Sequence, residues 1–185
     1  MVELAKRLLF LTGNPGVGKT TVLLRIVEAL KAEGYRIGGM LSQEVRTGGE
    51  RVGFEILDLK SGKRGWLAQV NQKNGPRIGR YCVNLEDLEN IGAKAIMDAV
   101  KDSDVVAVDE LGPMELFSDK FREAVRKAVE SDKLVAGVVH WKAKDKLVEE
   151  VKSREDAELF TVTSENRDKL HEVVLAKALD FLSNI

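Results

Sequence analysis

Eight consecutive residues, Gly13-Asn14-Pro15-Gly16-Val17-Gly18-Lys19-Thr20, place three glycines in a short segment that ends in a lysine and a threonine. A polyphosphate needs several main-chain N–H donors converging on it with no side chain in the way, and recurrent glycine clears that space. A helix that follows such a loop aims the positive end of its dipole at the same anion. In the spacing G-x-x-x-x-G-K-T the lysine, Lys19, reaches the β- and γ-phosphates and the Thr20 hydroxyl ligates Mg²⁺. Thr21 either supports the phosphates or simply begins the helix. Gly13 through Thr21 is therefore the expected nucleotide-binding stretch, with Mg²⁺ as the expected cofactor.

A second pair of candidates, Asp109-Glu110, closes the apolar run Val105-Val106-Ala107-Val108. A carboxylate at the C-terminal end of a buried strand beside such a loop is where the metal finds its second partner, reached through water, which pairs Asp109 with Thr20. Glu110 follows and points elsewhere, placed to polarise an attacking water as general base. The plain alternative for Glu110 is a capping or surface carboxylate.

These residues require particular elements to hold them. Arg7 to Thr12 reads as a short buried strand, and Lys19 to Glu33 as a helix with Leu23, Ile26, Val27 and Leu30 on one face, ended by Gly34. A strand from Tyr35 to Ser42 follows. Residues 43–83 change texture, with short β-like segments broken by Thr47-Gly48-Gly49-Glu50, Lys60-Ser61-Gly62-Lys63 and Asn74-Gly75-Pro76. They predict an antiparallel hairpin or meander insertion. A helix from Leu85 to about Lys101 comes next, then the strand ending at Asp109-Glu110 and a helix exposing Phe121, Ala124, Val125, Ala128 and Val129 on one face. A strand at Leu134 to Val139, a charged helix near Asp145 to Lys152, a strand at Glu158 to Val162 and a helix from about Asn166 complete the chain. Strands alternating with helices predict an α/β fold, its sheet mostly parallel and covered on both faces. Residues 1–185 read as a single domain.

Composition narrows the partners. The 29 basic residues nearly cancel the 30 acidic ones, so no global field draws the protein to nucleic acid or to an anionic membrane. No apolar stretch approaches the length of a spanning helix, and Asn14-Pro15-Gly16 interrupts the apolar run after Lys6 too early for a signal peptide. One cysteine, Cys82, forms no intrachain disulfide and fits a reducing compartment. A cytoplasmic monomer is expected, with Cys82 as a packing residue.

The loop GNPGVGKT, the stretch Glu44-Val45-Arg46 with Gly49-Glu50-Arg51-Val52-Gly53-Phe54, the segment Val108-Asp109-Glu110-Leu111-Gly112-Pro113-Met114-Glu115-Leu116 and the late Asn166-Arg167-Asp168 together resemble the THEP-type nucleoside-triphosphatases, along essentially the whole chain. The resemblance implies a P-loop NTPase with a RecA-like core. It implies slow, broad hydrolysis of ATP, GTP and other nucleoside triphosphates to the diphosphate and phosphate with Mg²⁺. Pro113 departs from the family pattern, which carries a lysine there, and leaves the backbone of Leu111 and Gly112 as that segment's contact.

Three further sites remain open on sequence grounds. In a RecA-like order the Leu134 to Val139 strand lies between the loop strand and the Asp109 strand, so His140 either senses the γ-phosphate and orients water or is an ordinary strand-end residue. Asn166 and Arg167 follow the last strand at the ligand-binding edge of an open α/β sheet, where they contact the base or cap a helix. Arg46, Arg51, Arg64, Arg77 and Arg80 supply the insertion with positive charge, from which an internal arginine finger can be drawn. His171 has no neighbouring ligand set. Beside hydrolysis stand two other functions: phosphoryl transfer to a small molecule or nucleotide, which needs an acceptor pocket, and a nucleotide-operated switch, which needs a moving segment.

Overall fold

The computed structural model describes residues 4–185. The apolar runs predicted to be buried become adjacent strands: β1 (Leu8–Thr12), β7 (Val105–Leu111) and β8 (Leu134–Val139). Along β1, Leu8 and Phe10 enter one core while Leu9 and Leu11 enter the other, as the two-residue strand period requires. The remaining strands are β2 (Ile37–Thr47), β3 (Glu50–Asp58), β4 (Arg64–Gln69), β5 (Arg77–Ile78), β6 (Tyr81–Val83) and β9 (Ala157–Thr161). All belong to one sheet in the order β5-β6-β4-β3-β2-β7-β8-β1-β9. From β2 to β9 neighbours run parallel, and from β2 to β5 they run antiparallel.

Helices cover both faces. On one side lie α1 (Lys19–Ala32) and α6 (Leu170–Ser183), whose Val22, Leu23, Ile26, Val174 and Ala178 share a core with Leu9 and Leu11. On the other lie α3 (Lys94–Asp102), α4 (Asp119–Glu130) and α5 (Lys146–Lys152), sharing a core with Phe10, Val106 and Val108. The α4 face comprises Phe121, Ala124, Val125, Ala128 and Val129, as its periodicity predicts. Gly34, at φ +93°, ends α1 in the left-handed conformation, and the Tyr35 N–H returns to the Leu30 carbonyl.

The structure departs from the sequence reading at three places. The strand expected to stop at Ser42 continues to Thr47, so β2 belongs to the parallel core at one end and pairs with β3 along Met40 to Thr47 at the other. The insertion is thus an extension of the core sheet through a shared strand. The helix expected from Leu85 contains a short α2 (Leu85–Asp87), a π-helical stretch (Leu88–Ala93) and then α3. The wide turn buries Leu88 and Ile91 together and brings Gly92 so close to Met40 that an added Cβ would lie 2.6 Å from its sulfur. The last helix begins at Leu170, because Asn166 folds residues 163–169 into a turn by bonding back to the strand end.

Asp145 ties α4 to α5. It accepts two bonds from the Arg122 guanidinium, at 3.1 and 2.6 Å, and one from the Leu147 N–H at 2.9 Å as the α5 N-cap. The bond from Arg122 holds its carboxyl below the usual range, against the opposing effect of burial. The folded state therefore favours the ionised form, whose contribution is whole above the ordinary carboxylate value of about 4 and is lost as pH falls through the depressed value. Asp145→Ala is expected to lower stability by roughly 1–2 kcal/mol at pH 7, the usual scale of a lost N-cap. Urea unfolding from pH 7 to pH 2.5 will show the gap between variant and wild type narrowing at the acid end.

Candidate nucleotide site

The loop after β1 and the acidic end of β7 meet because of strand register. Leu11 of β1 and Asp109 of β7 both pair with Val138 of the intervening β8, so the two strand ends finish at the same height. There the Thr20 hydroxyl donates to Asp109 Oδ2 at 2.7 Å. Lys19 Nζ folds back over the loop and donates to the carbonyls of Gly13 and Asn14 at 2.7 and 3.1 Å. Gly13, at φ +143°, presses against β9, and a Cβ there would sit 2.6 Å from the Val162 carbonyl oxygen. Side-chain-bearing residues rarely adopt that φ, so both sterics and backbone demand glycine.

Three carboxyls gather under the loop. Asp109 is 2% exposed and Glu115 3%. Burial pushes Asp109 up to about 7, with the Thr20 bond and the Lys19 charge opposing and Glu110 adding to the rise. Burial also raises Glu110, against Lys19, and raises Glu115 well above its ordinary value, helped by the neighbouring Glu110 charge. Lys19 is itself lowered by burial, with Glu110 and Asp109 opposing. The Glu110 carboxylate curls over Gly112, where an added Cβ would lie 2.6 Å from its Oε1. The sheet pairing passes from Asp109 to Leu111 and leaves Glu110 out of the ladder.

The loop forms a ridge between two cavities. The first, of about 820 Å³, is walled by Gly13 to Val17, by Trp141 and Lys152, and by 161–165 and Arg167. The second, of about 520 Å³, joins Gly18 to Thr21, Asp109, Glu110, Glu115 and His140 to the insertion. The expected residues Gly13 to Thr21, Asp109, Glu110, His140 and Arg167 thus all face one cavity or the other. Leu111 and Gly112 line neither, and their carbonyls accept from the His140 and Leu116 N–H groups. Asn166 spends its side chain within its own loop, accepting from the Thr163 N–H at 2.8 Å and donating to the Thr161 carbonyl at 2.9 Å. Arg167 reaches the Val17 carbonyl at 3.4 Å. His140 is lowered by burial and by the charges of Lys19, Lys152 and Lys142. Its Nδ1 accepts the Lys142 N–H at 3.2 Å, which leaves the ring proton of the neutral form on Nε2.

Two wall residues were given no role on sequence grounds. Trp141, 40% exposed, follows His140 at the same strand end, and an aromatic at that edge was the available signal. Glu115 stands in the segment Val108 to Leu116 that carries the family resemblance, and the turn after β7 folds it inward.

A glycine-rich loop joining a buried strand to a helix, beside an acidic strand end one strand removed in a parallel sheet, defines a P-loop NTPase fold. The family model described as NTPase matches residues 8–175, and the chain belongs to that family, the THEP-type nucleoside-triphosphatases. It is 45% identical over 168 residues to a nucleoside-triphosphatase THEP1 of Thermofilum pendens, covering 90% of this chain and 92% of the relative. It is 46% identical over 173 residues to one of Methanopyrus kandleri, covering 93% and 95%. Among solved structures, THEP1 of Aquifex aeolicus superposes with a TM-score of 0.79 at 34% identity, covering 91% of this chain and 96% of the other. A human cancer-related nucleoside triphosphatase superposes at 0.78 with 36% identity, covering 92% and 96%.

Asn166→Ala removes two bonds that hold the turn against β9. A typical net value of about 1 kcal/mol per bond predicts amide exchange in 163–169 at least about tenfold faster than wild type, read by hydrogen exchange. A change confined to nucleotide affinity would assign Asn166 to the base instead.

Proposed function

We propose that this protein hydrolyses the γ-phosphate of nucleoside triphosphates to yield the diphosphate and inorganic phosphate. The observation that carries this reading is the 2.7 Å contact between Thr20 and Asp109 beneath the loop. A hydroxyl and a carboxylate are hard oxygen donors, the set Mg²⁺ takes when phosphates and water complete its shell. Thr20 and Asp109 would hold the ion, which would supply positive charge against the charge that develops on the phosphates.

The chain's own groups supply the rest. Loop N–H groups between Gly13 and Thr20, with Pro15 contributing none, grip the phosphates, and Lys19 exchanges the Gly13 and Asn14 carbonyls for phosphate oxygens. Glu110, displaced from the ladder and facing the cavity, takes the proton of the attacking water. His140, on the same wall, orients that water through Nε2–H or contacts the γ-phosphate. The base lies in the larger cavity, between Trp141 and the loop that carries Arg167. Every base has a π face, so stacking on an indole discriminates weakly, which supports tolerance of ATP, GTP and other triphosphates. Slow turnover, action as a monomer and a cytoplasmic setting are parts of the same reading. Among the described residues no helix is long and apolar enough to cross a membrane, and Cys82 is buried with a free thiol.

Glu110→Gln is expected to keep nucleotide binding and to lower phosphate release by ~100-fold or more, within the span of general-base effects. Wild-type turnover in that variant would exclude Glu110 as the base. Lys19→Ala is expected to weaken both nucleotide affinity, measured calorimetrically, and turnover; unaltered hydrolysis would place the activity at another site.

A further inference from the structure

The smaller cavity is larger than hydrolysis requires. The γ-phosphate, its metal and an attacking water of about 30 Å³ would take the Lys19 and Asp109 end of this chamber, which holds about 520 Å³ in all, the size of a small-molecule site. Beyond Lys19, Asp109 and Glu110 it runs to the insertion, where Phe54, Leu67 and Ile78 form an apolar wall beside Ser42 and Gln43 of β2, faced by Met114 from the turn after β7. That wall exists because β2 continues out of the parallel core and carries β3 to β6 with it. The far side is braced. Arg51 donates to the Tyr81 hydroxyl at 2.8 Å and to Glu44 at 3.1 Å, while its guanidinium lies 5.1 Å from the Phe54 ring centre and 5.4 Å from that of Tyr81.

We propose that this chamber is an acceptor site for a small planar-ring alcohol, neutral or cationic, whose hydroxyl competes with water for the γ-phosphoryl group. The inference rests on the nucleotide reading above and adds a second substrate to it. Phe54 and Met114 offer flat and polarisable surface to a ring. Four acidic side chains, Glu44, Asp109, Glu110 and Glu115, share the walls with only Lys19 and Arg51 as permanent cations. A bound triphosphate adds more negative charge, so an anionic acceptor is repelled. In the transfer, the acceptor oxygen forms a bond to the γ-phosphorus as the bond from that phosphorus to the β,γ-bridging oxygen breaks. Its electron pair leaves with the nucleoside diphosphate, and the hydroxyl proton passes to the Glu110 carboxylate. The products are a phosphate monoester and the diphosphate; with the chamber empty of alcohol, water takes the same path.

The test is phosphorus NMR of the full chain with ATP and Mg²⁺, titrated with benzyl alcohol or 3-(hydroxymethyl)pyridine, with glycerol at equal concentration as control. ADP is quantified in the same samples. The proposal expects a monoester resonance that saturates with either aromatic alcohol and is absent with glycerol. Ile78→Trp, which fills the apolar end away from the loop, is expected to lower the ratio of monoester to inorganic phosphate by at least about tenfold, the scale on which a filled pocket rejects a ligand. ADP formed by that variant reports that it is folded. If all transferred phosphate appears as inorganic phosphate with both aromatic alcohols, the acceptor site is refuted while hydrolysis stands. Equal ester from glycerol, or an unchanged ratio in Ile78→Trp, refutes it as well. Absence of ADP from every wild-type sample overturns this proposal together with the nucleotide reading beneath it.

Discussion

The burial of Asp109 beneath the loop is the constraint on which the site turns. A carboxyl removed from water is costly unless it is hydrogen-bonded or neutralised, and the Thr20 hydroxyl provides the direct bond. That bond requires two strand ends to stop at one level with a third strand between them, which the common pairing of Leu11 and Asp109 with Val138 secures. Residues far from the loop are thereby tied to it. A slip of β8 by one residue would reverse its faces and separate Thr20 from Asp109.

The same constraint explains the crowding of acids near one lysine. Asp109, Glu110 and Glu115 are all pushed toward their protonated forms by burial; Glu110 raises both of the others, and Asp109 raises Glu115. Such a cluster is poorly compensated by the protein alone, and a divalent cation would invert the local balance by favouring ionisation. The protein thus folds with unpaired affinity for positive charge directly under a loop built for negative charge. The metal–triphosphate complex proposed above would satisfy both.

The loop also separates two kinds of recognition. On the β9 side the walls are an exposed indole and a turn braced by Asn166, the surface proposed above to take the base. On the β7 side the walls combine the acidic cluster with an apolar face contributed by the insertion. Because β2 serves both the parallel core and the antiparallel extension, the second wall is fixed to the frame that positions Asp109. Chemistry and the chamber beside it are held by one continuous sheet.

Local pattern determined much of this. The glycine spacing from Gly13 to Gly18, followed by Lys19 and Thr20, states its preference for phosphate through backbone conformation, which neighbours in sequence decide. The continuous apolar runs in β1, β7 and β8, the one-sided faces of α1 and α4, and the acidic pair ending β7 were legible for the same reason: strand and helix periods are local. Relations between distant segments were settled only by tertiary structure. Glu115 becomes part of the acidic cluster through the turn after β7, Trp141 becomes a cavity wall because β8 ends beside the loop, and Asn166 turns inward to brace β9. The extent of β2 was hidden too, since the β-like residues after Ser42 read as a separate hairpin strand until the pairings with β7 and β3 show one strand serving both. Each depends on a partner remote in sequence, and burial, which gives a side chain its chemistry here, is a property of that partnership.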